Sequence, residues 1–255
     1  MFSKKIMIKT VRHNFILNRI KLEHRIYISS LSEELEISDD TLRRDFIELD
    51  KQGLLTKVHG GAIAKSEIPI EFNRRFNTGI PAKQQLAKKT IPLFKSGDTI
   101  LIDGGTSNLE LARQLPFDMN FTIYTNSFPI INELIDRTNI EFIFLGGDVF
   151  PSSRTTIGVP VIQSLWNIRP DWLVLGASNI HPQLGITDVS RNEATVKRAM
   201  VESGKQSIVL CDTYKLNSAE SYTVASLRDI DYLVLEDDKV ETIKKHWMDY
   251  PNTIL

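Results

Sequence analysis

The chain has 255 residues, 42% hydrophobic and 25% charged, with 31 Lys and Arg against 32 Asp and Glu. This leaves room for one large domain or for a small domain plus a medium one, of ordinary globular composition. A single cysteine, Cys211, excludes an internal disulfide framework and a cysteine-rich zinc site; no apolar run has the length of a membrane span or forms a signal-peptide core, so a reducing, cytoplasmic setting is expected.

The net charge of −1 conceals an asymmetry, since residues 1–25 hold seven Lys or Arg and one acid while 26–58 are acid-rich. Val11, Phe15, Ile16 and Ile20 predict a first helix over about 10–22. Residues 25–29 alternate like a short strand, and Ser30 or Ser32 can cap a second helix carrying Leu31 and Leu35, with Ile37 at the following turn. Ser38 is suited to cap a third helix, with Asp39 and Asp40 beside its positive end. Leu42, Phe46 and Leu49 share one face of it, and Gly53 is placed to end it. The opposite side carries Asp40, Arg44, Ile47 and Lys51, with Arg43 on the flank. Residues 54–58, the turn His59-Gly60-Gly61 and residues 62–64 then predict a hairpin. Two helices joined by a tight turn and followed by a hairpin outline a winged helix-turn-helix, whose second helix fits the DNA major groove.

Periodicity fades over 65–79, which is read as a linker between a domain at 1–64 and a second at 80–255. Beyond it, strand-like runs at 99–103, 121–125, 141–147, 172–177, 206–212 and 231–236 alternate with helical patterns at 80–94, 106–115, 127–137, 158–168, 191–203 and 238–248. The alternation predicts an α/β domain with a mainly parallel sheet covered on both sides.

Ligands of open α/β sheets bind beyond the carboxyl ends of the strands. Those ends read Asp103-Gly104-Gly105-Thr106-Ser107, Thr125-Asn126-Ser127, Gly146-Gly147, Gly176-Ala177-Ser178 and Asp212. Glycines followed by hydroxyls at a helix start let backbone N–H groups approach an anion, and the helix dipole adds favourable potential. Glycines after strands also serve plain tight turns, and a hydroxyl at a helix start can be only a cap. Two such polar turns on one sheet favour a ligand crevice. By default Glu193 and Lys197, four residues apart, make a solvated ion pair, and Lys215 is an exposed loop lysine.

Together these segments resemble the DeoR family of transcriptional regulators over nearly the whole chain. The resemblance is carried by Arg12-His13 and SDDTLRRDFIELDKQGLLTKVHGGA, then by DGGTSNLELARQL, YTNSFPI, FLGG, NEATVKRAM and DTYKL in order. It implies a sensor domain similar to ribose-5-phosphate isomerase, with Lys83 and the GGTS loop facing a phosphate. Glu193 matches the isomerase general base, within S-R-N-E where the enzyme has T-R-E-K, and Lys197, Asp212 and Lys215 match pocket positions of the regulators. The enzyme's DGADE motif corresponds here to Leu175-Gly176-Ala177-Ser178-Asn179, so its two catalytic aspartates become Leu175 and Ser178. Isomerisation needs positioned acid–base groups, so binding without turnover is expected.

The leading expectation is a DNA-binding regulator, a repressor, of carbohydrate-metabolism genes that answers to a phosphorylated sugar and needs no cofactor or metal. Thr41, Arg43 and Arg44 would meet bases or phosphates of a double-stranded operator, and Lys57 and His59 in the wing would meet phosphates or the minor groove. The effector would lie among Lys83, Asp103, Gly104, Gly105, Thr106, Ser107, Thr125, Asn126, Ser127, Gly146, Gly147, Glu193, Lys197, Asp212 and Lys215. A single reading head makes few contacts, so a homo-oligomer on repeated half-sites is expected. The alternative is a sugar-phosphate isomerase or deaminase with an accessory helical domain.

Overall fold

Apolar spacing and one serine cap account for most of the N-terminal elements. The computed structural model of the protein describes residues 7–23, 25–65, 69, 71–236, 240–241, 243–244 and 253–255. Two compact units form, Met1–Ser66 with Asn217–Glu220, and Glu67–Leu216 with Ser221–Leu255. The chain therefore passes between them three times, where the sequence suggested a single linker.

The first unit contains α1 (Lys9–Glu23), β1 (Arg25–Tyr27), α2 (Ile28–Leu35), α3 (Asp39–Lys51), β2 (Thr56–Val58) and β3 (Gly61–Ile63). Strand β3 pairs antiparallel with both β1 and β2, so the short 25–27 run does join the wing. Ile16, Ile20, Leu31, Leu42, Phe46, Leu49 and Leu55 pack as one core. The expected Ser30 or Ser32 cap is not used. Helix α2 starts earlier, at Ile28, where burial of Ile28 and Leu31 fixes the first turn and Tyr27, three residues before Ser30, takes the cap position without a side-chain bond. Ser32 instead donates to the Ile37 carbonyl at 2.8 Å, tightening the turn. Ser38 caps α3 as expected by accepting from the Thr41 N–H, and Gly53 follows the helix at φ +73°.

The second unit opens with α4 (Phe72–Phe76) and α5 (Ile80–Thr90), then β4 (Thr99–Ile102), α6 (Thr106–Gln114), β5 (Phe121–Thr125), α7 (Phe128–Leu134) and β6 (Ile140–Phe144). A hairpin of β7 (Asp148–Phe150) and β8 (Thr155–Ile157) follows, then α8 (Val159–Trp166), β9 (Trp172–Leu175), β10 (Asn179–His181), β11 (Gly185–Asp188) and α9 (Arg191–Ser203). The unit closes with β12 (Gln206–Cys211), β13 (Tyr222–Ala225), β14 (Tyr232–Leu235) and β15 (Thr253–Ile254). Residues 240–241 and 243–244 are helical, and the remainder of the helix expected over 238–248 lies outside the described residues.

The central sheet has the order β15-β14-β12-β9-β4-β5-β6, and every pairing in it is parallel. Side chains alternate between its faces. Ile100, Ile102, Val174, Ile208 and Leu210 enter one core, while Leu101, Leu173, Leu175 and Val209 enter the other, so both faces are covered. Cys211 is fully buried in the second of these, and burial pushes its thiol well above the ordinary range. Because β5 lies on one side of β4 and β9 on the other, the chain reverses direction across the sheet at β4. That switch point opens a crevice at the carboxyl ends. The β7–β8 hairpin and the antiparallel sheet β10-β11-β13 were not foreseen from the sequence.

Candidate DNA-reading helix and ligand cleft

In the first unit, the exposed side of α3 carries Arg43, Arg44 and Lys51 among Asp39, Asp40 and Asp50, with Ile47 also exposed. The Arg43 and Arg44 side chains are 59% and 80% exposed. Each makes an i,i+4 pair on its own helix, Arg44 with Asp40 at 2.7 Å and Arg43 with Asp39 at 3.9 Å. Glu48, on the same helix, pairs with Lys9. Exposed pairs of this kind contribute about 0.3–0.5 kcal/mol, so a phosphate or guanine edge can displace the carboxylate. Thr41 is half-buried, with its hydroxyl 2.9 Å from that of Ser38, while Lys57 and His59 stand exposed on the wing.

Arg12 and His13 act behind this surface. Asp45, on the inner side of α3, is 3% exposed and receives Arg12 through Nη2 at 3.0 Å and through Nε, with His13 Nε2 also 3.0 Å away. Burial opposes ionisation of Asp45, but the bonds from Arg12 and then His13 prevail and hold its carboxyl below the usual range. The cluster fixes α3 against α1. Asp45 was missed in the sequence because an acid in an acid-rich helix carries no signal of burial.

In the second unit, three turns meet around Gly104. A Cβ at Gly104 would stand 2.4 Å from Thr155 Cγ2 and 3.9 Å from Ser127 Cβ, so only glycine lets the loop lie against both residues. Ser127 and Thr155 also form a β-bridge. Ser107 Oγ, Ser127 Oγ and Thr155 Oγ1 are buried with no hydrogen-bond partner among the described residues, as is Asn126 Oδ1. The Asn126 amide donates to Thr156 O at 2.9 Å, and Thr125 Oγ1 accepts from the Ser127 N–H at 3.1 Å, which fixes the second turn. An unsatisfied buried polar atom costs about 1–3 kcal/mol. Three hydroxyls beside the start of α6 therefore form a cradle able to bond an anion's oxygens.

Carboxylates and lysines adjoin the cradle. Asp103 accepts from the Gly176 N–H at 3.0 Å, and a Cβ on Gly176 would come within 2.3 Å of Gly104 O, so β4 and β9 meet closely here. Burial raises the Asp103 carboxyl to about 6 despite the nearby Lys197. Lys197 and Glu193 are both buried, which corrects the expectation of a solvated pair. Lys197 bonds Asp188 at 2.6 Å rather than Glu193, and Ser178 donates to the same Asp188 oxygen at 3.2 Å. Burial works against charge on Lys197, yet Asp188, Asp103 and Glu193 together hold its pKa high. Asp188 is likewise kept low by Lys197 against its own burial, while burial raises Glu193, whose carboxylate accepts from Ser153.

Lys215 is buried too, not an exposed loop lysine, and lies 3.7 Å from Asp212. Lys83 Nζ donates to the main-chain carbonyls of Arg75, at 2.7 Å, and of Thr78, leaving one of its three N–H groups for another acceptor. Gly105 and Thr106 open α6 within the cradle loop. Gly146 and Gly147 are exposed, and Gly147 has a packing reason of its own, because a Cβ there would fall 2.5 Å from Ile157 O. Asp188, Ser153 and Thr155 were missed, since they lie on unrecognised short strands or in the loop of a hairpin. Leu175, at the end of β9, is fully buried in the apolar core.

The DeoR C terminal sensor domain family matches residues 79–237, and the DeoR-like helix-turn-helix domain family matches residues 12–67. The chain belongs to the DeoR family. The HTH-type transcriptional repressor GlcR of Bacillus subtilis is 30% identical over 223 residues, covering 87% of this chain and 86% of that one. The HTH-type transcriptional regulator GolR of Listeria innocua is 29% identical, covering 93% and 94%. The glycerol-3-phosphate regulon repressor of Escherichia coli is 27% identical, covering 88% and 90%. A solved ribose 5-phosphate isomerase A from Methanocaldococcus jannaschii aligns at 16% identity and TM-score 0.39, over 52% of this chain and 53% of that one. These DeoR relatives are named as regulators of transcription, and this chain is a DNA-binding transcriptional regulator rather than the isomerase or deaminase of the alternative reading. Among the described residues no helix is long and apolar enough to cross a membrane.

Proposed function

We propose that this protein is a cytoplasmic repressor of carbohydrate-metabolism genes whose hold on its operator changes when a phosphorylated sugar enters the second unit. The observation that carries the reading is the set of buried, unbonded hydroxyls of Ser107, Ser127 and Thr155 around Gly104. Such atoms are satisfied when a ligand supplies the missing partner. A phosphate fits the cradle; Asp103, Asp188, Glu193 and Asp212 suit the hydroxyls of a sugar, with Lys197 and Lys215 balancing their charge. The names of GlcR and the glycerol-3-phosphate regulon repressor favour the same class of control.

In this reading residues 1–64 read DNA, 80–255 sense the ligand, and the connecting 65–79 lends α4 to the sensing half. Thr41, Arg43 and Arg44 face the major groove, with Lys57 and His59 on flanking phosphates. Two or more copies engage repeated half-sites, because one head makes too few contacts for a specific site.

The test begins with DNA selected from a random pool by the full chain. The selected duplex is then titrated with and without a panel of phosphorylated sugars. Thr106→Ala combined with Ser107→Ala is expected to keep DNA affinity and to abolish the response. A response that survives in this variant would place the phosphate elsewhere.

A further inference from the structure

One apolar side chain stands on the solvent side of α3. Leu42, Phe46 and Leu49 are buried in the core of the first unit, but Ile47 is 42% exposed and does not join that core. At about 100° per residue, Ile47 falls between Arg43 and Arg44 in projection and nearly opposite the buried side of the helix. Asp45 is turned about 200° away from it, toward the inside, where Arg12 and His13 hold it. The direction in which Ile47 points is therefore fixed from behind before any partner arrives.

The helical neighbours of Ile47, at three and four residues on either side, are Arg43, Arg44, Asp50 and Lys51. All four are charged and exposed, so α3 offers no apolar patch around Ile47 for a protein partner. The arginines suit a polyanion instead, with donors for phosphate oxygens or a guanine edge. Isoleucine has neither donor nor acceptor, so it can pair with neither of those. The major groove presents one apolar group, the C5-methyl of thymine. Laid against the polar edge of a G·C pair, Ile47 would strip water from donors and acceptors and give them no partner. The side chain thus favours one base by contact and disfavours the G·C alternative at the same position. Its first side-chain torsion is nearly fixed in a helix, so little freedom is lost when the contact forms.

We propose that Ile47 is a specificity-determining residue of the DNA contact, packing on the C5-methyl of a thymine in each half-site. This rests on the reading of α3 as the helix that enters the major groove.

The experiment uses the full chain and a duplex that it selects from a random pool. Each thymine of the half-site is replaced singly by uracil, which lacks only the C5-methyl, and affinity is measured for the wild type, Ile47→Ala and Arg44→Ala. At one thymine the wild type should lose about fourfold, the worth of a buried methyl group. Ile47→Ala should bind the thymine and uracil duplexes equally at that position. A fresh selection with Ile47→Ala should relax the preference there and keep it elsewhere. Since Ile47 lies outside the core, its replacement should leave Tm and the sedimentation of the protein unchanged. Loss of affinity in Arg44→Ala, with no thymine whose uracil penalty depends on residue 47, overturns the role of Ile47 and leaves α3 as the reading helix. A change in assembly state of Ile47→Ala with every uracil penalty intact also overturns it, by assigning the side chain to contact between copies. If neither Arg44→Ala nor Ile47→Ala alters affinity for the selected duplex, the proposal and the reading role of α3 both fall.

Discussion

Replacing Asp45 with Ala tests whether the recognition helix is held from behind. The side chain is 4% exposed and that of Arg12 11%, so the pair is screened little by solvent. Removing one partner of a buried pair leaves the other charged and uncompensated, at a cost of about 3–5 kcal/mol. A unit of this size has a total stability of only about 3–10 kcal/mol by the usual per-residue scale, so the variant should lose most of it. Urea unfolding followed by amide exchange would separate α1 and α3 from the second unit, which a single melting curve cannot do for a protein with two units. The sign of the pH effect follows from the direction of the shift. The folded-state pKa of Asp45 is depressed, so its contribution is complete above the unfolded value of about 3.9 and disappears as pH falls through the folded value. Wild type and variant should thus converge in acid. Arg12→Ala with Asp45→Ala should cost clearly less than the sum of the single changes. A loss below about 1 kcal/mol for Asp45→Ala, or strict additivity with Arg12→Ala, would show that the cluster does not hold α3.

Three further outcomes can be checked on the same protein. Arg44→Ala should weaken binding to selected DNA by about 1–3 kcal/mol if the side chain reads a base; unchanged affinity together with an unchanged salt slope removes it from the interface. Thr155→Val deletes a buried hydroxyl that has no partner, so it should leave thermal stability equal or slightly higher while weakening binding of a phosphorylated ligand about tenfold, which is about 1.4 kcal/mol. A marked fall in melting temperature would mean that the hydroxyl is already satisfied. Asp103 behaves oppositely to Asp45: with its carboxyl raised to about 6, its contribution to stability falls as pH rises from about 4 to about 6, and Asp103→Asn should flatten that slope when stability is measured across the range.

Much of the architecture could be read along the chain because it depends on local pattern. Ser38 before an amphipathic run fixed α3, and the continuous apolar runs WLVL and SIVLC fixed two strands buried on both faces. The strand-end rule found the GGTS and TNS turns for the same reason, since glycine and hydroxyl requirements are written within a few residues. Short antiparallel strands were illegible: three or four residues such as NIH or GITD bury too little by themselves to leave a period.

By itself, then, the sequence determined a winged helix followed by an α/β unit, the side of α3 left to solvent, and the polar turns at the strand ends. Only the tertiary structure decided which charges are buried together. Glu193, Lys197 and Lys215 have the sequence context of solvated residues, and their burial follows from elements distant in the chain closing over them. Asp188 meets Lys197 because β11 packs beside α9, and α4 meets the 151–155 loop because Phe72 is buried there. Desolvation and pairing are set by three-dimensional neighbours, so no linear pattern could have supplied them.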